Sequence, residues 1–381
     1  MTDAPLRVGL DVSAIPPDPR GAGRYVIELL SALVARRTLD LRLESRRGDR
    51  DRWAEVAPGT AVAGVVPDSR PRRLVWEQVV APRFVDSWGI DVLHCPHYTM
   101  PEVARVPKVV TIHDLTFFDR PELHERVKVS VFKRAIRVAA RRAQAIVCVS
   151  DATARRLEEL VAPACPVHVI PHGVDTDAFT PEPAGTDATV LAGLGLRAPY
   201  VAFLGTLEPR KDLATLVRAF GVIAAGHPDL TLVVAGGKGW GNAAYDDALA
   251  ESRVRDRIVE TGYLPDGAVP VVLRHAAAVA YPAVEEGFGL PVLEALACGA
   301  PVVTTSGSVM EEFAGPAVLT AAAGSPDALA AALEDALTDT TGAGERRARG
   351  FAVAAAHSWA ATAEAHERVY RDVANAPSRR R

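Results

Sequence analysis

The sequence predicts an α/β protein built from two Rossmann-like halves, whose parallel sheets face one interdomain cleft. Three observations lead there. Short apolar runs alternate with longer amphipathic segments along the whole chain. The alternation stops at a stretch rich in proline and glycine and then starts again. At 381 residues the chain is too long for one ordinary core and about right for two. Strand followed by helix, repeated, marks a doubly wound parallel sheet, because each parallel step needs a crossover and the crossover helices cover both faces. Such sheets bind ligands outside the carboxyl ends of their strands, so two facing halves would share one site.

The elements follow in order. "LRVGLDV" (6–12), "DVLHCP" (91–96), "KVVTIHD" (108–114), "AIVCVS" (145–150) and "VHVIPHG" (167–173) read as buried strands of the first half, with amphipathic helices over 22–36 and 127–143. Residues 175–199 carry several Pro and Gly and begin without strand character, as a linker would. Strands resume at "YVAFLG" (200–205), "LTLVVAGG" (230–237), "RIVETGYL" (257–264), "AAVAYPA" (277–283), "APVVTT" (300–305) and "AVLTA" (317–321), and the Ala-rich 345–373 pattern reads as helix. The expected division is 1–178 for the first half, 179–198 for the linker, 199–356 for the second half and 357–376 for a final helix.

Composition excludes several function classes. A net charge of −4 implies no bulk attraction to nucleic acid or to anionic membranes. The four cysteines (Cys95, Cys148, Cys165, Cys298) form no C-x-x-C pair, which suits buried thiols in a reducing compartment better than disulfides or zinc. The N-terminus has no apolar signal-peptide core, and no run approaches the roughly 18 apolar residues of a membrane span. A cytoplasmic protein is expected. Two D-x-D strings, Asp49 to Asp51 and Asp175 to Asp177, lie in a charged, exposed-looking stretch and at the linker's start, so neither is expected to hold a metal.

Chemistry concentrates at the carboxyl ends of the expected strands. "GAGRYV" (21–26) opens a helix after the first strand, but the third glycine of a dinucleotide fingerprint is replaced by Val26 and the turn from Ser13 is too long. It is either an ordinary loop or one that lets backbone N–H groups approach a phosphate. His113 and Asp114 in "TIHDLTF" sit just past a buried strand, and His94 or His97 could line the same mouth. Arg210 and Lys211 in "GTLEPRKDL" come at a helix start, where the macrodipole disfavours cations. Their placement calls for an anionic partner, and a planar fork beside a point charge suits a diphosphate. "VVAGGKGWGN" (233–242) is a second glycine-rich turn without the P-loop frame.

The densest stretch is "EEGFGLPVLEALACGAPVV" (285–303). Pro291 suits the first helical position and Cys298-Gly299 the end, leaving 287–290 as a strand-to-helix loop whose N–H groups face whatever sits above the sheet. Glu294 is expected in the first turn of that helix, where a carboxylate is favoured anyway. Glu286, just before a phosphate-binding loop, would repel phosphate and so should meet hydroxyls or developing positive charge. Residues 126–142 form an amphipathic helix, with Arg126, Lys133, Arg134, Arg137 and Arg141 clustered apart from Val129, Phe132, Ile136 and Ala139. This is a solvated face over a core face, or a docking surface for an anionic membrane or lipid-linked acceptor.

The Glu-x7-Glu run resembles the signature of glycosyltransferase family 4, whose members are retaining, nucleotide-sugar-dependent enzymes of the GT-B fold. The resemblance covers nearly the whole chain, since "GAGRYVIELL", "VVTIHDLTF", "AIVCVSDATARRL", "VIPHGVD", "GTLEPRKDL", "AGGKGWG" and "GYLP" occur in the family's order. The wording is similar to bacterial mannosyltransferase-like members that build cell-surface polysaccharides or glycolipids. The resemblance implies that Arg210 and Lys211 hold the donor diphosphate and stabilise the departing nucleotide. It places Glu286 near the transferred sugar, Gly287, Phe288, Gly289 and Leu290 in the backbone cradle, and Glu294 on the ribose hydroxyls. His113 would sit beside the sugar, Gly23 in the N-terminal loop closing on the donor, and Tyr263 and Leu264 where the base is held. The last helix would cross back onto the first domain. Thr206 stands where many members have an arginine, which removes one cationic contact.

The implied reaction is metal-independent transfer of a hexose, with GDP-mannose as first candidate donor and a UDP- or ADP-sugar as the alternative, to a glycan or lipid-linked acceptor. It needs no cofactor, and catalysis is mainly positioning and electrostatics. Two rivals come from other classes. A nicotinamide-dependent oxidoreductase would need the glycine fingerprint that fails here, and a non-catalytic nucleotide-sugar-binding protein would bind a donor without transferring it.

Overall fold

The computed structural model describes residues 4–16, 19 and 21–376. Its contacts separate into two compact units, Met1–Gly173 together with Trp359–Arg381, and Val174–Ser358.

The first unit carries a seven-stranded sheet, β1 (Leu6–Asp11), β2 (Leu39–Arg46), β3 (Ala61–Val66), β4 (Val92–Cys95), β5 (Lys108–Ile112), β6 (Ala145–Cys148) and β7 (Val167–Val169). The order is β3-β2-β1-β4-β5-β6-β7, with every pair parallel. Strands β4, β5 and β6 are buried from end to end, so they read as unbroken apolar runs. Helices Ala22–Arg36 and Arg126–Arg142 lie within a residue of their expected bounds, and Ile136, Ala139 and Ala140 form the buried side of the second. Two strands were not expected. β2 reads "LDLRLESR", with charges that look exposed, yet Arg42 bonds Asp40 (3.0 Å) and Arg46 bonds Asp49 (2.8 Å), leaving Leu41 and Leu43 in the core. The charged 49–51 stretch is likewise structured, as the end of a 3₁₀ turn and the start of helix Arg50–Val56.

The second unit holds β8 (Tyr200–Leu204), β9 (Thr231–Ala235), β10 (Ile258–Gly262), β11 (Ala278–Tyr281), β12 (Val302–Thr305) and β13 (Leu319–Ala321) in the order β10-β9-β8-β11-β12-β13, again all parallel. Residues 179–198, expected as a linker, instead pack within this unit. They contain helix Asp187–Gly193, and buried Asp187 pairs with Arg274 (3.2 Å) and His275 (2.9 Å). The Arg274 guanidinium also donates to the carbonyls of Thr180 (2.8 Å) and Glu182 (2.7 Å). Proline and glycine here shape a fixed path, so the first break falls at Gly173/Val174 and not at 178.

The Ala-rich end is two helices, Ala343–Ala356 and Trp359–Asn375, divided where the Val174 N–H donates to His357 O (2.9 Å). The last helix belongs to the first unit, packing on helix Ala22–Arg36, β4 and β5. Both sheets are parallel and helix-covered, as the α/β reading requires.

Candidate functional site

In the second unit the loops after β8 and β11 converge. Pro209–Lys211 is a single 3₁₀ turn, followed by helix Leu213–Ile223. Asp212 takes the N-cap of that helix, its side chain accepting from Thr215 N (3.4 Å). The cations therefore precede the helix instead of occupying its first turn, and a carboxylate already answers the dipole. Lys211 is 5% exposed and makes an ion pair with Glu286. Arg210 bridges Glu286 (2.6 Å) and Glu208 (2.6 Å). The Tyr281 hydroxyl donates to Glu286 (3.0 Å) and accepts from Lys211, whose ammonium lies 4.6 Å from the Tyr281 ring centre.

This is an ion cage of two cations, two carboxylates and a phenol. Tyr281 is 1% exposed and stacks on Phe203 (5.7 Å). Burial pushes its phenol upward, Glu208 and Glu294 push the same way and Arg210 opposes them, so it stays a protonated donor. The backbone closes the cage as well, through Val284 N to Arg210 O (2.9 Å) and Arg210 to Glu285 O (3.3 Å).

Helix Leu290–Ala297 follows β11, with Gly289 as N-cap at φ 97° and Pro291 in the first turn. Gly289 is required twice over: its φ is left-handed, and a Cβ there would collide with Met310. Phe288 is 4% exposed and stacks on Phe313 (4.8 Å), which anchors the loop from below, while Leu290 is also buried. Glu294 is the fifth helical residue, so it lies beyond the first turn and the dipole does not account for it. It is 3% exposed.

Gly205 and partly buried Thr206 form the turn after β8. The second glycine-rich loop backs that turn directly: Leu207 N bonds Gly237 O (3.1 Å), Gly239 N bonds Leu207 O (2.9 Å), and a Cβ on Gly236 would strike the Gly205 carbonyl. Those glycines serve backbone contact more than ligand contact. Tyr263 is 46% exposed after β10, whereas Leu264 is buried.

In the first unit His113 follows β5 and is 7% exposed. Its Nε2 lies 2.8 Å from the Pro96 carbonyl, which only accepts, so Nε2 carries the proton. Burial lowers its basicity, while Pro96 and Asp114 favour the charged form. Gly23 lies inside the first turn of helix Ala22–Arg36, one residue past its start, where a Cβ would press on Ile15 and Pro19. His94 does not line a mouth: it is fully buried with both nitrogens bonded, to Tyr370 (2.8 Å) and Thr111 (2.8 Å).

Residues 193–355 match the family described as Glycosyl transferases group 1, and residues 19–178 match Glycosyltransferase Family 4. The D-inositol 3-phosphate glycosyltransferase of Kineococcus radiotolerans is 32% identical over 75% of this chain and 67% of its own length. This chain is a family 4 glycosyltransferase. The transferase also resembles the O-antigen chain mannosyltransferase B of Escherichia coli, at 27% identity over 89% of this chain and 92% of the relative. Among solved structures, sucrose-phosphate synthase from Thermosynechococcus elongatus superposes with a TM-score of 0.78 at 20% identity, covering 97% of this chain and 99% of that one. Anabaena Alr3699/HepE in complex with UDP and glucose gives 0.76 at 18% identity, covering 96% and 100%. The fold is GT-B.

The transferase's sequence named Arg210, Lys211 and Glu286, and the structure brings all three into one cluster. It left out Glu208 and Tyr281. Glu208 was in view, two residues before Arg210 in "LEPRK", and a carboxylate so close to a cation pair was the available signal. Tyr281 ends a strand that reads as pure core, so nothing local pointed to it.

Proposed function

We propose that the transferase moves a hexose from a nucleotide sugar to a glycan or lipid-linked acceptor of the cell surface, with retention and without metal, and that GDP-mannose is the first donor to test. The observation carrying this is the Glu208–Arg210–Glu286–Lys211 cage beside the N-terminus of helix Leu290–Ala297. A diphosphate at that helix start would draw Arg210 and Lys211 toward itself, since charge-assisted bonds from a guanidinium and an ammonium to phosphate rival those to a carboxylate. Glu286 would then be released toward the sugar, and Glu294 would take the ribose hydroxyls. Leaving-group charge is met by Arg210 and Lys211, which is why no metal is invoked. His113, unprotonated on Nδ1 when neutral, would accept a hydrogen bond from a sugar hydroxyl.

Mannose is supported by a relative aligned over most of both chains. The inositol-phosphate relatives and a 2-deoxystreptamine glucosyltransferase of Streptomyces kanamyceticus, 31% identical over 53% of this chain, favour other chemistry. A thermal-shift series with GDP-mannose, UDP-glucose and ADP-glucose separates the donors. A clear shift with GDP-mannose supports the reading, and a flat response beside a shift with another donor overturns it. Activity unchanged in EDTA is expected, and loss restored by a divalent cation would refute metal independence.

Among the described residues no helix is long and apolar enough to cross a membrane. Peripheral contact through 126–142, at an inner membrane face in a cytoplasmic setting, is supported by exposed Val127 and Val131 on the same helix as exposed Arg141. The basic face is partly committed elsewhere, since Arg134 pairs with Glu102 and both Lys133 and Arg137 lie over the Phe118 ring. Sedimentation with phosphatidylglycerol vesicles, but not with phosphatidylcholine ones, is the expected result. No binding to either removes the membrane from the proposal.

A further inference from the structure

Five buried side chains from four elements of the first unit form one hydrogen-bond chain. Tyr370 Oη meets His94 Nδ1 (2.8 Å), His94 Nε2 meets Thr111 Oγ1 (2.8 Å), and Thr111 Oγ1 meets Tyr25 Oη (3.2 Å). Tyr25 Oη meets His366 Nε2 (2.8 Å), and His366 Nδ1 reaches the Thr362 carbonyl (2.8 Å). Tyr25, His94, Thr111, His366 and Tyr370 are all 0% exposed.

One carbonyl sets every direction in the chain. Thr362 O only accepts, so His366 carries its proton on Nδ1 and, when neutral, accepts on Nε2. Tyr25 therefore donates to His366, and its oxygen is left to accept from the Thr111 hydroxyl. Thr111 must then accept from His94 Nε2–H, which leaves His94 Nδ1 to accept from Tyr370. No donor is wasted and no acceptor is used twice. The arrangement needs both imidazoles neutral, and burial lowers the basicity of each.

From the middle of the chain the Tyr25 ring reaches His113. The Tyr25 ring stands edge-on to His113 with centroids 5.0 Å apart at 81°, and stacks on His172 at 5.0 Å and 26°. His172 in turn stacks on Trp359 (5.9 Å) at the start of the C-terminal helix. His113 is thus held by the Pro96 carbonyl at Nε2 and the Tyr25 ring at its side, with the Tyr98 (5.8 Å), His97 (6.1 Å) and His172 (6.2 Å) rings also around it. Tyr25 is fixed in turn by residues 341 positions away in sequence.

We propose that Tyr25 is a positioning residue for sugar transfer: it seats the His113 imidazole, and the chain from Tyr370 to His366 on the C-terminal helix seats Tyr25. This rests on the reading of His113 as part of the transfer site, and it makes the last helix a condition for that site's geometry.

The decisive variant is Tyr25→Phe, which keeps the ring and removes the hydroxyl at the junction. On the ligand-free protein, ¹⁵N imidazole spectra are expected to show the His113 and His172 resonances shifted or broadened. Release of nucleoside diphosphate from GDP-mannose and from UDP-glucose is expected to show kcat down roughly 10- to 100-fold with donor KM little changed. His366→Leu, which removes the acceptor, is expected to match Tyr25→Phe, whereas His366→Gln, which can place an amide oxygen near Nε2, recovers most turnover. Unmoved His113 resonances in folded Tyr25→Phe overturn the proposal, as does unmoved kcat. His113→Ala distinguishes the two failures. If it is inactive while Tyr25→Phe is normal, only the positioning role falls, and if it too is fully active, the reading of His113 itself is wrong.

Discussion

Acid should unfold the first unit far more steeply than an ordinary domain of its size. His94, His97, His113, His172 and His366 all have their basicity lowered, with burial the first cause in each case, His97 to about 3 and His366 to about 4. A histidine held neutral in the folded state contributes stability that is intact above its unfolded pKa near 6.5 and is lost as pH falls toward the folded value. Two carboxyls act the other way. Burial raises Glu77 to about 7 and holds Glu44 well above the usual range, so folding takes up protons there between about pH 4.5 and 7. At pH 5.5 unfolding lets His97 and His366 take up about 1.8 protons while Glu77 gives back about 0.9. Those three groups alone make a net uptake of about one proton, or about 1.4 kcal/mol of stability per pH unit; His94 and His172, held well below the usual range, steepen it and Glu44 offsets part. Four of the five tryptophans, Trp53, Trp76, Trp88 and Trp359, lie in this unit, so urea titrations followed by tryptophan fluorescence at pH 7, 6 and 5 report it selectively. His366→Gln should lower the slope by about one proton, or about 1.4 kcal/mol per pH unit. Stability that is flat or rising from pH 7 to 5 would refute the assignment of neutral buried imidazoles.

The second unit yields three further expectations. Lys211→Met removes one charge from the cage and should lower kcat by roughly 10²–10³-fold in a nucleotide-release assay; normal turnover with tight donor binding would remove Lys211 from the leaving-group role. Gly289→Ala forces a left-handed φ on a residue with a Cβ and presses it on Met310, so calorimetry should show a loss of about 1–3 kcal/mol. An unchanged melting temperature would mean the loop relaxes at no cost. Asp187→Ala leaves the Arg274 guanidinium buried without its carboxylate and should cost about 3–5 kcal/mol by circular dichroism; a silent variant would restore the linker reading of 179–198.

The strands most plainly legible from sequence are those buried on both faces, although the edge strands β7, β10 and β13 were also named. β4, β5, β6, β8 and β11 stand out because a central parallel strand has no face left for water and so shows an unbroken apolar run. β3 escaped at the edge of the sheet, and β2, next to it and paired on both sides, escaped because its apolar residues alternate with charges. In β2 every charged residue looks like a surface residue until its partner is known, and Asp49, the partner of Arg46, comes three residues later in a different element. The last helix and its return to the first domain were expected, but the same blindness hid its polar face. Its Thr362, His366 and Tyr370 recur at intervals of four and would pass for a polar, solvated stripe, yet they face the core and are satisfied by Pro171, Tyr25 and His94. Periodicity locates a face, but it cannot say whether a polar face meets water or a matching set of donors and acceptors.

The glutamates around the second unit's loop make the same point in the opposite direction. Eight residues apart, Glu286 and Glu294 invite comparison with the acid and nucleophile of a retaining glycosidase, whose carboxyls stand about 5 Å apart and act on one bond. Burial and partners argue otherwise. Glu286 is committed to Arg210, Lys211 and Tyr281, so its charge is balanced and its phenol donor fixed before any ligand arrives. A carboxylate in that state is a poor nucleophile but a good counter-ion, able to hand two cations to an incoming anion and to face the positive charge that develops as that anion leaves. Glu294 lies beyond the first turn of its helix and is almost wholly buried, so the two glutamates stand in different surroundings. Replacing Glu286 with Gln separates the two roles. A nucleophile or base would lose nearly all turnover while donor affinity held. A counter-ion whose loss leaves Arg210 and Lys211 in excess of carboxylate should bind the nucleoside diphosphate product more tightly and slow its release, which a product-inhibition constant would detect.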